Sequence, residues 1–357
     1  LGEGGFMASA DNQKVKIDDQ DGRGPVLIAD DGLIGAKEAR QTDLSRDAAG
    51  HPGSDDGADS ETTGYDERIQ ALEVENTYLF DKRCHCPICD STFSTKAVKT
   101  GKDRFIGTDE DLRPKHKNVD YVKYEVNMCP HCGYAAVGRV FDRLTPWQIQ
   151  NLRTEIADKF AGENPHTGAY SYDYAIVRYK MALLTEMKKQ SKISESAYLC
   201  LKLSWLYRGA YEEIVKYADE AKFGCLAEDE PNNSYSSFKD SYEEFEKFSG
   251  IKEDDLKKLS VRQMTAFKEC RRNELLYRTQ ALQGFMKAIA TEFPPICDME
   301  EATLNYLVSE LAYLCDDCED AMHFGAFVLN SRMASPKVKD RERELIEKIK
   351  SKTAKKQ

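Results

Sequence analysis

Cys86-Pro87-Ile88-Cys89 and Cys129-Pro130-His131-Cys132-Gly133 are the stretches on which the reading of this chain turns. Both have the form C-P-x-C, and 39 residues separate them. Such a pair forms a tight knuckle that points two sulfurs at one centre. A glycine after the second cysteine permits turn geometry that a Cβ hinders. Two knuckles supply four thiolates, the donor set of a tetrahedral Zn²⁺ site with Zn–S of about 2.3 Å. The expected ligands are Cys86, Cys89, Cys129 and Cys132. Four thiolates leave no open position for water, so the expected ion is structural and not catalytic. Cys84, His85 and His131 compete as ligands, and the mirrored C-P-x-C form favours Cys86 over Cys84. A redox pair would use one exposed C-x-x-C at a helix start with a depressed thiol pKa; two matched knuckles differ from that.

Around the knuckles the chain reads as a small β-rich unit, residues 76–143. Phe93 to Lys99 and Arg104 to Thr108 are expected strands joined by a turn at Thr100-Gly101-Lys102-Asp103. Tyr124, Val126 and Met128 alternate with Glu125 and Asn127, the period of a half-buried strand. The insert Gly107 to Asn118 is expected to be a loop. About 65 residues with few large apolar groups cannot build a sufficient core alone, and a metal would substitute for one.

From Thr145 the pattern is helical. Thr145-Pro146-Trp147-Gln148 carries a cap, a proline at the first helical position and a capping-box glutamine. Further helices are expected near 171–190, 195–209, 237–248, 260–291, 299–314, 317–331 and 337–350. Tyr172, Ala175, Tyr179 and Ala182 follow the second-helix pattern of a tetratricopeptide repeat, in which alanines let helices approach and aromatics fill the gaps. Ala281, Phe285 and Ala288 repeat part of it, as do Ala321, Gly325 and Val328. Leu203, Ser204 and Tyr207, then Leu304, Leu307 and Leu311, are candidate first-helix partners. The period is irregular, residues 225–260 read as an insertion, and a plain helical bundle is the alternative. The expected fold class is therefore α+β: a small β-rich zinc ribbon followed by an all-α tetratricopeptide-like helical-hairpin array over 145–350. Trp147 and Trp205 read as core or groove-lining.

Composition bounds the ends. Of 62 acidic and 51 basic side chains in 357 residues, 14 and 6 fall within residues 1–65. Eleven of 22 glycines lie there too. Residues 1–70 are expected to be a disordered acidic tail, because such a stretch cannot bury enough apolar surface to offset an ordering entropy of ~1–2 kcal/mol per residue. The remaining residues are near neutral, which argues against broad charge-driven binding to nucleic acid or lipid. Residues 351–357 read as a basic tail on a solvated terminal helix. Leu1 to Phe6 is too short and glycine-rich for a signal peptide, and Met7 is the expected start. Eleven cysteines, an odd number, together with no visible export signal, fit a reducing cytoplasm.

Chemistry beyond the quartet is sparse. Cys315-Asp316-Asp317-Cys318 with His323 invites a second metal site but lacks a matching pair, so core packing is expected. No phosphate-binding glycine loop, nucleophile elbow or H-E-x-x-H is present, and no catalytic residue is assigned. Three functions follow from these residues. The first is a scaffold that holds a protein or peptide partner on its helical face. The second is nucleic-acid binding through Lys96, Lys99, Lys102, Arg104, Arg113, Lys115, Lys117 and Lys123, interleaved with Phe93, Phe105 and Tyr121. The third is an enzyme using the loop carboxylates Asp109 and Asp111, with His116.

Tyr78-Leu79-Phe80-Asp81-Lys82, the two knuckles, Gly107-Thr108-Asp109-Glu110-Asp111-Leu112-Arg113-Pro114 and Tyr134-Ala135-Ala136 together resemble a bacterial family catalogued as domain of unknown function 2225. The resemblance runs from about Tyr78 to Lys350. It implies a cytoplasmic protein with an N-terminal metal-binding region and tetratricopeptide-like helices, and it brings no activity. The simplest expectation for the Gly107–Pro114 loop is surface solvation.

Overall fold

The computed structural model describes residues 64–218 and 249–356. The acidic segment 1–63, the expected helix 237–248, Cys225 and most of the 225–260 insertion lie outside them. The first element, α1 (Gly64–Thr77), begins inside the stretch expected to be a tail. Glu75 anchors it: its carboxylate accepts from Lys123 Nζ and Tyr124 Oη, both at 2.7 Å, in a buried setting.

Three antiparallel hairpins follow. In the first, β1 (Leu79–His85) pairs with β2 (Thr92–Val98), Leu79 opposite Val98 and His85 opposite Thr92. The second joins β3 (Phe105–Thr108) to β4 (Pro114–His116), and the third joins β5 (Val126–Met128) to β6 (Ala135–Val137). This corrects two expectations. The strand at 92–98 pairs backward with β1, not forward across Thr100–Asp103, because the first knuckle itself closes the hairpin. Nor is the 107–118 insert simply a loop, since β3 and β4 pair across it. Asp103 closes the base of that hairpin by accepting from the backbone N–H groups of Arg104, Asn118 and Val119 at 2.9–3.1 Å. Tyr121–Tyr124 is a 3-10 turn capped by the Asp120 carboxylate, and β5 is buried on both faces instead of alternating. Two-stranded hairpins are marginal alone, so these need helices behind them.

The helices supply that backing. α2 (Pro146–Glu155) starts at the expected capping box, with Thr145 and Gln148 bonded reciprocally. α3 (Tyr172–Lys188) and α4 (Ile193–Lys216) form a hairpin, and the long α6 (Val261–Thr291), preceded by the short α5 (Glu253–Lys257), packs along α4. α7 (Glu301–Leu314) and α8 (Cys318–Asn330) form a second hairpin, against which α9 (Pro336–Lys356) lies. The expected basic tail is therefore largely the end of α9. That helix is not merely solvated either, since Leu345 and Ile349 are buried.

α4 is the central helix: residues 199–211 are buried without a break, so it shows no polar face. One core cluster holds Val122, Val126, Met128 and Val137 from the β-rich part together with Tyr179, Leu203, Phe285 and Leu307 from the helices. Packing thus does not separate at residue 144. The repeat-pattern aromatics of α3 turn toward the hairpins. Tyr179 Oη donates to Val122 O at 2.8 Å, and Tyr172 Oη donates to the Asp120 carboxylate at 3.1 Å. Trp205 is buried, but Trp147 at the start of α2 is more than half exposed, against expectation.

Candidate metal centre

The two knuckles are the turns of β1–β2 and β5–β6, and they are built alike. Cys86 N donates to Ser91 O and Cys129 N to Tyr134 O, both at 2.9 Å. Asp90 N donates to Cys86 O at 3.0 Å and Gly133 N to Cys129 O at 2.9 Å. Each turn ends in a left-handed residue, Asp90 at φ 63° and Gly133 at φ 71°.

These turns bring the four predicted sulfurs together. All four Sγ atoms lie within 4.8 Å of one another. Cys86 and Cys132 approach to 3.5 Å, and Cys89 and Cys129 to 3.6 Å. A regular tetrahedron with Zn–S of about 2.3 Å has sulfur edges of about 3.8 Å, whereas a disulfide needs about 2.05 Å. Cys86, Cys129 and Cys132 are buried, and Cys89 forms the exposed edge. Ser91 Oγ sits 3.0 Å from Cys89 Sγ and 3.5 Å from Cys129 Sγ.

Helix α2 covers the centre from behind, with Leu152 and Ile156 packed among Ile88, Tyr134 and Phe141. Arg153 donates to Ile88 O at 2.9 Å, which ties the first knuckle to that helix. Phe160 closes the second knuckle, and a Cβ at Gly133 would lie 2.6 Å from its ring.

The electrostatics favour a cation at the centre. Hydrogen bonds from Cys132 and Cys86 hold the Cys129 thiol well below its ordinary range. The bond to Cys129 in turn raises Cys86 to about 12 and pushes Cys132 up as well. Four sulfurs this close cannot all ionise beside one another, and a divalent ion removes that conflict.

The competing ligands stand apart. Cys84 is buried in the apolar cluster around the quartet but does not converge with it, His85 pairs with Asp90 at 2.9 Å on the surface, and His131 is exposed. Cys315 and Cys318 pack at the edge of the main core, and His323 meets the rings of Phe324 and Phe327. Among the described residues, the quartet is the one set of three or more His, Cys, Asp or Glu side chains converging closely enough to share an ion.

The Gly107–Pro114 loop is neither solvated nor open. Asp111 is fully buried, accepts from Arg208 Nη2 at 2.6 Å and Nη1 at 3.1 Å, and accepts from Trp205 Nε1 at 2.9 Å. Burial alone would raise its carboxyl; the Arg208 charge outweighs that and holds it below the usual range. Asp109 pairs with Lys115 at 2.7 Å and Arg208 at 3.3 Å, and Arg113 pairs with Asp120 and Glu212. Glu274 of α6 also binds Arg208, at 3.1 Å. His116 is stacked flat on Tyr121 instead of joining the carboxylates. The loop is a plug whose charges lock the β-rich part onto α4 and α6. The one sequence signal for this was Lys202 and Arg208 lying inside the largely apolar stretch 197–211 of α4.

Nor do the eight basic residues of segment 91–128 form a free strip. Lys96, Arg113, Lys115 and Lys123 all engage carboxylates, and Arg113 and Lys123 are buried. No helix among the described residues is long and apolar enough to cross a membrane.

The family model described as an uncharacterized protein conserved in bacteria (DUF2225) matches residues 79–350, and the chain belongs to that family. No curated protein and no solved structure matches it.

Proposed function

We propose that this family member carries one structural Zn²⁺ on Cys86, Cys89, Cys129 and Cys132, in a zinc-ribbon-like arrangement, and acts in the cytoplasm as a scaffold for a protein partner. The sulfur quartet is the observation that carries the reading: two matched turns aim four thiols at one point with spacings near those of a ZnS₄ tetrahedron. All four positions being protein sulfur, the ion would have no place for water and would serve to pin two marginal hairpins.

The scaffold part is supported by helices packed on one another that leave large apolar side chains exposed. Phe293 and Met333, 91% and 85% exposed, lie in the segments leading into and out of the α7–α8 hairpin. Either side chain offers an anchor that a partner could bury. Elemental analysis of purified chain tests the metal: about one zinc per chain is expected, and metal-free yet fully structured protein would overturn it. Cross-linking capture by wild type against Phe293→Ser/Met333→Ser tests the surface, and equal recovery of every partner would reject it. Point variants are needed because deleting the helices would remove half of a shared core.

A further inference from the structure

A small cavity lies apart from the quartet, sharing no residue with it, where the β3–β4 turn meets α7 and α9. Its volume is about 70 Å³ and it is partly open to solvent. Glu310 of α7 lines it. This carboxylate is 1% exposed, and its Oε1 is buried without a hydrogen-bond partner among the described residues. A buried, unpaired carboxylate is expensive to keep, which makes it a mark of something unfilled.

Arg341 of α9 lines the same cavity. Its guanidinium donates to Thr108 Oγ1 at 2.6 Å and makes no ion pair among the described residues. Of the other charged groups in the lining, Lys348 is paired with Glu110 and Glu344 of α9 is exposed to solvent; Tyr306 Oη donates to Glu110 O at 2.8 Å. One buried acid and one base without an ion pair among the described residues thus line a common space without bonding to each other.

That arrangement selects a ligand. A lone anion would leave Glu310 unsatisfied, and a lone cation would face Arg341. A metal ion is disfavoured, because Glu110, Glu310 and Glu344 do not converge closely enough to share one. A molecule with N–H donors at one end and an acid at the other satisfies both. Size narrows it further. A water needs roughly 10–15 Å³ on this scale, so the cavity takes about five heavy atoms. An α-amino-acid head has that many: the nitrogen, the α-carbon and the three carboxylate atoms.

We propose that this cavity binds the head of a free α-amino acid, its ammonium on Glu310 and its carboxylate on Arg341, with the side chain directed to the open mouth. Charge-assisted hydrogen bonds to both ends would carry the affinity. The site is independent of the metal and of any partner surface.

The test is calorimetric titration of the full, zinc-loaded chain with glycine, L-alanine and L-glutamate, beside glycinamide and N-acetylglycine. Saturable binding of at least one free amino acid is expected, with glycinamide and N-acetylglycine each weaker by at least about tenfold. Glu310→Gln and Arg341→Gln should each abolish binding while zinc content and a single cooperative unfolding transition are retained. No saturable heat up to about 10 mM from any of the three would overturn the proposal. So would blocked analogues binding as well as glycine, or binding that survives both substitutions. Should one variant fail to fold, the analogue series and the other variant still decide the matter.

Discussion

Asp90 and Gly133 are the same residue of two copies of one turn. Each follows the second cysteine of a C-P-x-C knuckle, each sits in the left-handed region, and each donates its N–H to the carbonyl of the first cysteine, Cys86 or Cys129. They differ in what lies beyond the Cα. Asp90 points to solvent and pairs with His85, whereas any side chain at Gly133 would strike Phe160.

That difference predicts opposite responses to substitution. Asp90→Gly should leave metal content intact and change stability by no more than about 1 kcal/mol, since the lost pair is exposed and the left-handed strain is relieved. Gly133→Ala should destabilise by more than about 1 kcal/mol, and Phe160→Leu in the same chain should recover part of the loss. Urea midpoints of the four proteins check this; equal effects at the two positions would contradict the matched-turn geometry.

Metal removal should act locally before it acts globally. Chelation at neutral pH is expected to raise amide exchange first in β1–β2 and β5–β6, and later in α4 and α6, because the hairpins have little core of their own. Cys129→Ser should drop zinc to near zero, while Cys84→Ser should leave about one ion per chain. Elemental analysis with hydrogen-exchange mass spectrometry reads both, and zinc loss from Cys84→Ser would reassign the ligands.

Breaking the buried plug should be costly. Asp111→Ala removes the bidentate partner of Arg208 and leaves only Glu274 and the partly exposed Asp109 to balance it in the interior, a loss of up to about 3–5 kcal/mol. Adding Arg208→Met should cost much less than the two single losses combined, because the two groups of one buried pair are then removed together. Acid adds a second readout. The Asp111 carboxyl is depressed in the folded state, so its contribution is present above about pH 4 and lost as pH falls through its native value. Denaturant titrations of wild type, both single variants and the double variant between pH 2 and 6 would show this, and additive losses would refute the coupling.

Alkaline sensitivity should come from two buried carboxyl groups on α7 and α9, Glu310 and Glu342. Burial raises Glu310 to about 8, with the negative charge of Glu110 adding to it, and burial raises Glu342 to about 7. Both lie above the ordinary 4.5, so the folded chain holds these protons more tightly than the unfolded one. Their contribution is complete below about pH 4.5 and is lost as pH rises toward 8. Ligand-free protein should weaken over that window by something on the order of a few kcal/mol. Glu310→Gln with Glu342→Gln should flatten the slope in urea midpoints, and an unchanged slope would assign it elsewhere.

Much of this was readable in advance, and the reason is range. The Cys-Pro-x-Cys spacing, the Thr145–Gln148 capping box and the starts and stops of α6, α7 and α8 are set by bonds spanning a few residues, which the chain carries wherever it goes. Strand β1 was missed because Asp81-Lys82-Arg83 interrupts any alternation, and its partner is chosen by the knuckle that follows. The tyrosines of α3 read as contacts between helices, and Tyr172 does lie against Gly209 of α4, but their hydroxyls also bond to the β-rich part.

Short-range chemistry therefore settles that four sulfurs can meet on two turns and that helices follow them. It is silent on charge burial. Asp111 and Arg208 stand 97 residues apart, and neither has a reason to leave water until α4 is enclosed by its neighbours. The plug, the shared core and the unpaired Glu310 exist only once distant segments exclude solvent together, since an ionised side chain has the same local sequence whether it ends in water or in the interior.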